Sequence, residues 1–238
     1  RVLGATEEAC KVVGAMLRYL HSTLLPMDPS MPDEMREVCS AAAAASMAHA
    51  EARVAAALEG AISIVAGQID RILLHEQKKA DFRASADEMP EPTAACEAVV
   101  SLLQQLSKQA HASLGPAGPN LRSFFRLLGL RFRASLLPHI RQYVYNPTGG
   151  LRLKRDVMEY SDAVRVFDVP EVDEAFSSLS LLVNVLIVVP EALPALIASL
   201  GMTTLEAAKY ISLREDYKAS KIEAIVMGHG PVLSEMRM

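Results

Sequence analysis

Between residues 33 and 80 the apolar positions recur with a helical period. Ile62, Val65, Ile69 and Ile72 stand three, four and three residues apart, the spacing that lines one seam of an α-helix. The run Ala41–Ala45 adds strong intrinsic helix preference upstream. Nothing interrupts the pattern from Asp33 to about Ala80, which predicts one unusually long helix.

The same reading divides the rest of the chain. Thr6–Leu25 is expected to be a helix capped by Thr6, with Glu7 and Glu8 in its first turn. "PMDPSMPDE" ends it with three prolines, and "ADEMPEPTAACE" forms a second linker. After Pro92, Ala95, Val99, Leu102, Leu103 and Leu106 predict a helix that "GPAGPN" stops. Pro119 to about Tyr145 reads as a helix bent near Pro138. Leu151–Phe167 and Pro170–Val189 read as two more, although the β-branched run Val183–Val189 also suits a buried strand. Pro190–Leu200 is a short apolar segment, and Thr204–Met227 a final helix capped by Thr204 and stopped by Gly228. Seven or eight helices make the fold class all-α.

Composition supports that class. Half of the 238 residues are apolar, yet only 5% are aromatic and Trp is absent, which suits aliphatic helix packing better than a β-sandwich. Cys10, Cys39 and Cys96 are scattered and odd in number, so neither a disulfide framework nor a metal spacing is expected. The longest nearly apolar run, Leu179–Pro190, falls short of the roughly 18 residues of a membrane span, and no span is expected. The chain opens at Arg1 inside an expected helix, as a piece of a longer protein would.

Charge is unevenly spread. From Ala98 to Arg155 there are nine Lys or Arg and no Asp or Glu, leaving 15 basic and 28 acidic residues elsewhere. Arg122, Arg126 and Arg133 fall within about 40° of one another on a helical wheel. With Arg152, Lys154 and Arg155 they are the candidate contacts for an acidic partner or an anionic lipid surface. The competing expectation is packing beside the protein's own acidic helices.

Candidate chemistry is sparse. "YNPTGGLRLKRDVMEY" (145–160) joins paired glycines to a basic cluster, but lacks G-x-x-x-x-G-K-[ST] and G-x-G-x-x-G. Gly149–Gly150 is therefore expected to be a tight turn between helices rather than a phosphate cradle. Arg152, Lys154 and Arg155 sit where a helix dipole disfavours cations, with Asp156 and Glu159 as expected partners. His75-Glu76 lacks the second His of H-E-x-x-H, and His49 reads as a surface residue. No G-x-S-x-G or nucleophilic cysteine signature occurs, and the acidic total argues against nucleic acid. No catalytic, cofactor-binding or metal-ligating residue is assigned.

A resemblance emerges from longer landmarks. "LLHEQKKADFR", "LGLRFRASLLPHIRQYVYNPTGG", "DVMEY", "FDVPEVDEAFSSLSLLVNVLIVVPEAL" and "YISLREDYKASKI" resemble the C-terminal region of the Sec-ten exocyst subunit family, exocyst complex component 5. The resemblance spans roughly residues 40 to 225. Gly149–Gly150, Asp156, Glu159–Tyr160, Val189–Pro190–Glu191, Leu213-Arg214 and Asp216-Tyr217 are its most recognisable points.

The resemblance implies an elongated rod of stacked antiparallel helical bundles of the vesicle-tethering (CATCHR) type, and helix rather than strand over Leu181–Val189. Approximate sub-bundles are expected at 1–118 and 119–228, with 229–238 a flexible tail. It implies a non-enzymatic, cofactor-free subunit of the octameric exocyst, which holds secretory vesicles at the plasma membrane before fusion. Implied partners are the other exocyst subunits, most directly the Sec-fifteen subunit; small GTPases are candidate partners. The implied location is cytoplasmic, peripheral to secretory vesicles and plasma-membrane sites of exocytosis. Arg152, Lys154 and Arg155 lie outside the family pattern, so no shared role carries to them. Two rivals are a fungal F-box recycling adaptor of the recyclin type and a lipid-binding module using residues 98–155. The adaptors tend to end in C-a-a-X, whereas this chain ends Glu235-Met236-Arg237-Met238.

Overall fold

The computed structural model describes residues 2–19, 22–23, 31–85, 91–115 and 118–228. Among them the regular structure is helical: α1 (Val2–Tyr19), α2 (Asp33–Glu76), α3 (Ala94–Leu114), α4 (Pro119–Ile140), α5 (Pro147–Arg165), α6 (Pro170–Val183), α7 (Leu193–Ser199), α8 (Thr204–Ile211) and α9 (Ile222–Gly228). Short 3-10 turns at Lys79–Phe82, Asn184–Leu186 and Pro190–Ala192 complete the path. The all-α expectation holds. The expected end of the first helix at Leu25 and the tail 229–238 lie outside the described residues.

The chain divides into two compact units. One comprises Arg1–Val65 and Leu106–Phe125. Its buried side chains are small or aliphatic along α2 (Ala43, Val54, Leu58, Ile62) and larger at Leu121, Phe124 and Phe125. Phe125 packs against Phe124 and His111, with ring centroids 5.8 and 5.3 Å apart. Thr6 lies inside α1 rather than at its start.

The second unit comprises Ala66–Gln105 and Arg126–Met238. Its centre is aromatic: Phe132 of α4 meets Tyr160 of α5 edge-on at 5.1 Å and Phe176 of α6 at 5.4 Å. Gly129 permits the approach of α6, since a Cβ there would stand 2.5 Å from Val172. A smaller cluster of Val185, Leu193, Ile197, Ala207, Ile211, Ile222 and Val226 joins the last three helices.

Several boundaries differ from expectation. Gly149 and Gly150 do not form an interhelical turn; they lie in the first turn of α5. The α-helix after Pro170 stops at Val183, and Asn184–Leu186 tightens into a 3-10 turn. The cap of α8 is Thr203, one residue before the expected Thr204. Its hydroxyl accepts from Glu206 N at 3.2 Å while Glu206 Oε2 accepts from Thr203 N at 2.9 Å, a reciprocal capping box. Thr204–Met227 is also broken between α8 and α9, because residues 213–216 bond elsewhere in the unit.

Helix α2 changes the membrane reading too. It contains an 18-residue window of mean hydropathy 1.3, so by length and composition it could cross a membrane. Counting uninterrupted apolar runs misses this, since isolated charges punctuate an Ala-rich stretch. A third of the window is buried inside the protein, and alanine supplies little of the insertion energy that Leu, Ile, Phe and Val provide.

Candidate functional site

The stretch that begins at Tyr145 is a structural junction. Asn146 caps α5: its Oδ1 accepts from Gly149 N at 2.7 Å, and Pro147 occupies the first helical position, where its missing N–H costs nothing. The Asn146 amide also donates to Ala84 O at 2.8 Å, and its main-chain N to Phe82 O at 3.2 Å. Gly149 lies so close to the Phe82 main chain that a Cβ would fall 1.7 Å from its carbonyl oxygen. The amides of Gly149 and Gly150 bond to Asn146, so they are engaged within the helix cap.

Phe82 itself is buried between Tyr143 and Tyr145, with centroids 5.1 and 4.9 Å away. Tyr145 makes a short parallel bridge to the distant segment around Arg214: its N donates to Leu213 O, and its O accepts from Glu215 N, both at 2.8 Å.

In the middle of α5, Asp156 is 1% exposed. Its carboxylate accepts from Thr93 N at 2.8 Å and Thr93 Oγ1 at 2.9 Å. Thr93 in turn caps α3, its Oγ1 accepting from Cys96 N at 3.2 Å. Nearby, Gln77 donates to Asp81 Oδ2 at 2.8 Å. Burial is the largest influence on Asp156 and pushes its pKa from 3.8 up to about 6, against the Thr93 bonds, which lower it. Burial likewise pushes the Cys96 thiol far above its ordinary range, so it is inert as a nucleophile. Asp156 shares a 3-4 seam with Leu153, Val157 and Tyr160, all buried. A carboxylate on an apolar seam is the signal that marks it in the sequence.

Arg214, 5% exposed, is a second buried node. Nη1 donates to the carbonyls of Val185 and Val188 at 3.0 and 2.6 Å, while Nε and Nη2 fork onto Asp216 at 2.9 Å each. That bidentate pair holds the Asp216 carboxyl below its usual range.

The six basic candidates are distributed over these frameworks. Arg133 Nε donates to Ala175 O at 2.9 Å, and Arg152 Nη1 to Asp81 O at 3.2 Å. Lys154 Nζ donates to Ser180 O at 2.7 Å and Asn184 Oδ1 at 3.0 Å, and burial lowers its pKa. Arg126 pairs with Glu171 at 3.5 Å and Arg155 with Glu159 at 2.8 Å; Arg122 is exposed on α4. Because α5 starts at Pro147, Arg152, Lys154 and Arg155 lie beyond its first turn, and the expected helix-dipole conflict does not arise.

A cleft of about 470 Å³ lies between the C-terminal parts of α2 and α4, lined by Asp70, Leu73, Leu74, Arg131, Ala134, Ser135, Pro138, His139 and Gln142. His139 is 9% exposed, and its Nε2 is buried without a hydrogen-bond partner. Burial drives its pKa from 6.5 down to about 4, opposed by Asp70.

Comparison with known proteins identifies the family. The family described as "Exocyst complex component Sec10-like, alpha-helical bundle" matches residues 1–225. Exocyst complex component SEC10a of Arabidopsis thaliana is 37% identical over 214 residues, covering 89% of this chain and 25% of its own. Exocyst complex component 5 of Oryza sativa subsp. japonica is 34% identical over 229 residues (93% and 28%), and that of Homo sapiens 27% over 177 (72% and 25%). The chain spans about a quarter of the length of these relatives. Their names give the F-box alternative no support. With a family match running through all nine helices of the described residues but the end of the last, the chain belongs to the Sec10-like family of exocyst complex components.

Proposed function

We propose that this chain is a helical part of a non-enzymatic exocyst subunit, which holds secretory vesicles at the plasma membrane before fusion. The family match over residues 1–225 carries the reading. The use made of the polar residues supports it: Asp156, Asn146 and Arg214 spend their hydrogen bonds joining segments of the chain to one another. A scaffold needs such joints, whereas a catalytic site needs polar groups left free for a substrate.

Its partners are the other exocyst subunits, most directly the Sec-fifteen subunit, with small GTPases as further candidates. It works in the cytoplasm, peripherally associated with secretory vesicles and plasma-membrane sites of exocytosis. Contact with an acidic partner or anionic lipid falls to Arg122, Arg126 and Arg155, the exposed members of the basic group. Affinity capture of the full-length protein from its source cells tests this function. Exocyst subunits in stoichiometric amounts are expected; a ubiquitin-ligase core in their place overturns it. Direct mixing of the purified full-length protein with the Sec-fifteen subunit tests the finer pairing.

A further inference from the structure

The cleft between α2 and α4 is left unused by the junctions above. Its walls carry opposite charges, Asp70 on α2 and Arg131 on α4. Both are exposed, and neither enters an ion pair among the described residues. Leu74 on the lip is 66% exposed, and Leu127, one turn before Arg131, is 40% exposed. Residues 127, 131, 135, 138 and 142 follow each other at three- or four-residue steps, the ridge spacing that receives another helix.

One buried side-chain nitrogen at this place has no partner among the described residues, and one main-chain carbonyl loses its usual helical donor. The buried Nε2 of His139 has none, and a buried unpaired nitrogen is costly. Pro138 lies inside α4 and has no N–H to return to the Ala134 carbonyl, and Ala134 lines the same cleft. The combination selects among occupants. A small anion meets Asp70 and a small cation meets Arg131, and an anionic lipid surface is opposed by Asp70 at the rim. An amphipathic helix carrying both charges satisfies both walls while covering Leu74 and Pro138.

We propose that this cleft seats one amphipathic helix of another subunit, presenting a basic residue to Asp70 and an acidic residue to Arg131. The inference rests on the reading of the chain as part of a multi-subunit assembly. It is tested in the full-length protein within its assembled complex. A photo-crosslinking phenylalanine placed at Leu74 and, separately, at Gln142 is irradiated, and the joined peptides are sequenced. Both positions are exposed, so the fold tolerates the probe.

The expected result is adducts from both positions to one segment of one other subunit, apolar at helical spacing and bearing charges of both signs. Their yield falls about fivefold when Asp70→Lys and Arg131→Glu are combined, and recovers when the facing charges of that segment are reversed. Adducts to this chain alone, to lipid or to scattered segments in an intact complex overturn the docking proposal and leave the subunit reading standing. Absence of any exocyst complex overturns both.

Discussion

The carboxylate of Asp156 accepts hydrogen bonds from the main-chain nitrogen and the hydroxyl of Thr93, 63 residues earlier in the chain. Because Thr93 is the cap of α3, a residue on α5 fixes where another helix begins. Asp156→Ala strands both donors in a buried site and is expected to cost about 2–6 kcal/mol, at roughly 1–3 per unmet group. Asp156→Asn keeps one accepting oxygen and costs less. Denaturant unfolding of the two variants measures the difference, and equal losses would contradict the pairing.

Asp156 and His139 predict opposite pH responses. The folded pKa of Asp156, about 6, lies above its ordinary 3.8. Its contribution to stability is therefore complete below about 3.8 and lost as pH rises through 6, a swing on the order of 3 kcal/mol. His139 is lowered from 6.5 to about 4, so its contribution is present above 6.5 and lost as pH falls through 4. Asp156→Asn should consequently destabilise more at pH 4 than at pH 7, and His139→Phe less. Thermal unfolding of both variants across that range reads the two slopes, and parallel slopes would refute the assignment.

Two glycines make a matched pair of tests. A methyl at Gly149 collides with the Phe82 main chain, whereas nothing stands within 4 Å of one at Gly60. Gly149→Ala is expected to destabilise by about 3 kcal/mol or more through forced separation of the backbones. Gly60→Ala in the middle of α2 should stabilise by about 0.5–1 kcal/mol through helix propensity. Unfolding midpoints measured together decide both.

Arg214→Lys keeps the charge but loses the fork. A lysine cannot hold Asp216 with two bonds and also reach the carbonyls of Val185 and Val188. The expected cost is about 2–4 kcal/mol, with faster amide exchange at Tyr145 and Glu215, whose N–H groups form the bridge. Unchanged exchange there would show that the bridge stands without the guanidinium.

The exposed basic residues predict weak membrane attraction. Sedimentation with vesicles containing anionic lipid should show binding at low salt that disappears by about 0.5 M. It should weaken in the combined Arg122→Ala, Arg126→Ala and Arg155→Ala variant. Binding that persists at high salt would require apolar insertion instead.

Periodicity reveals helices well where one element buries its own seam, as α2, α3 and α4 do. It fails where distant contacts choose the backbone. Gly149–Gly150 reads as a turn because glycine is rare in helices, yet it is helical because Phe82 needs the space. The break between α8 and α9 is invisible locally, since Tyr145 and the carbonyls of Val185 and Val188 draw residues 213–216 out of line. Asp156 reads locally as a partner for the nearby basic residues, whereas it bonds to Thr93, 63 residues away, which no local pattern displays. The basic candidates are visible as a charge imbalance and the Arg155–Glu159 pair by its spacing, but Arg133, Arg152 and Lys154 meet main-chain carbonyls, which no sequence pattern displays.

The reach of Arg214 has a consequence for how the protein is made. Tyr145 leaves the ribosome 69 residues before Arg214 does, an interval of roughly 3–14 s at about 5–20 residues per second. Throughout it, both main-chain groups of Tyr145 lack their final partners, as do the carbonyls of Val185 and Val188 once they have emerged. The nascent chain must stay soluble with the Tyr145 bridge open and these two carbonyls unmet until one late segment arrives.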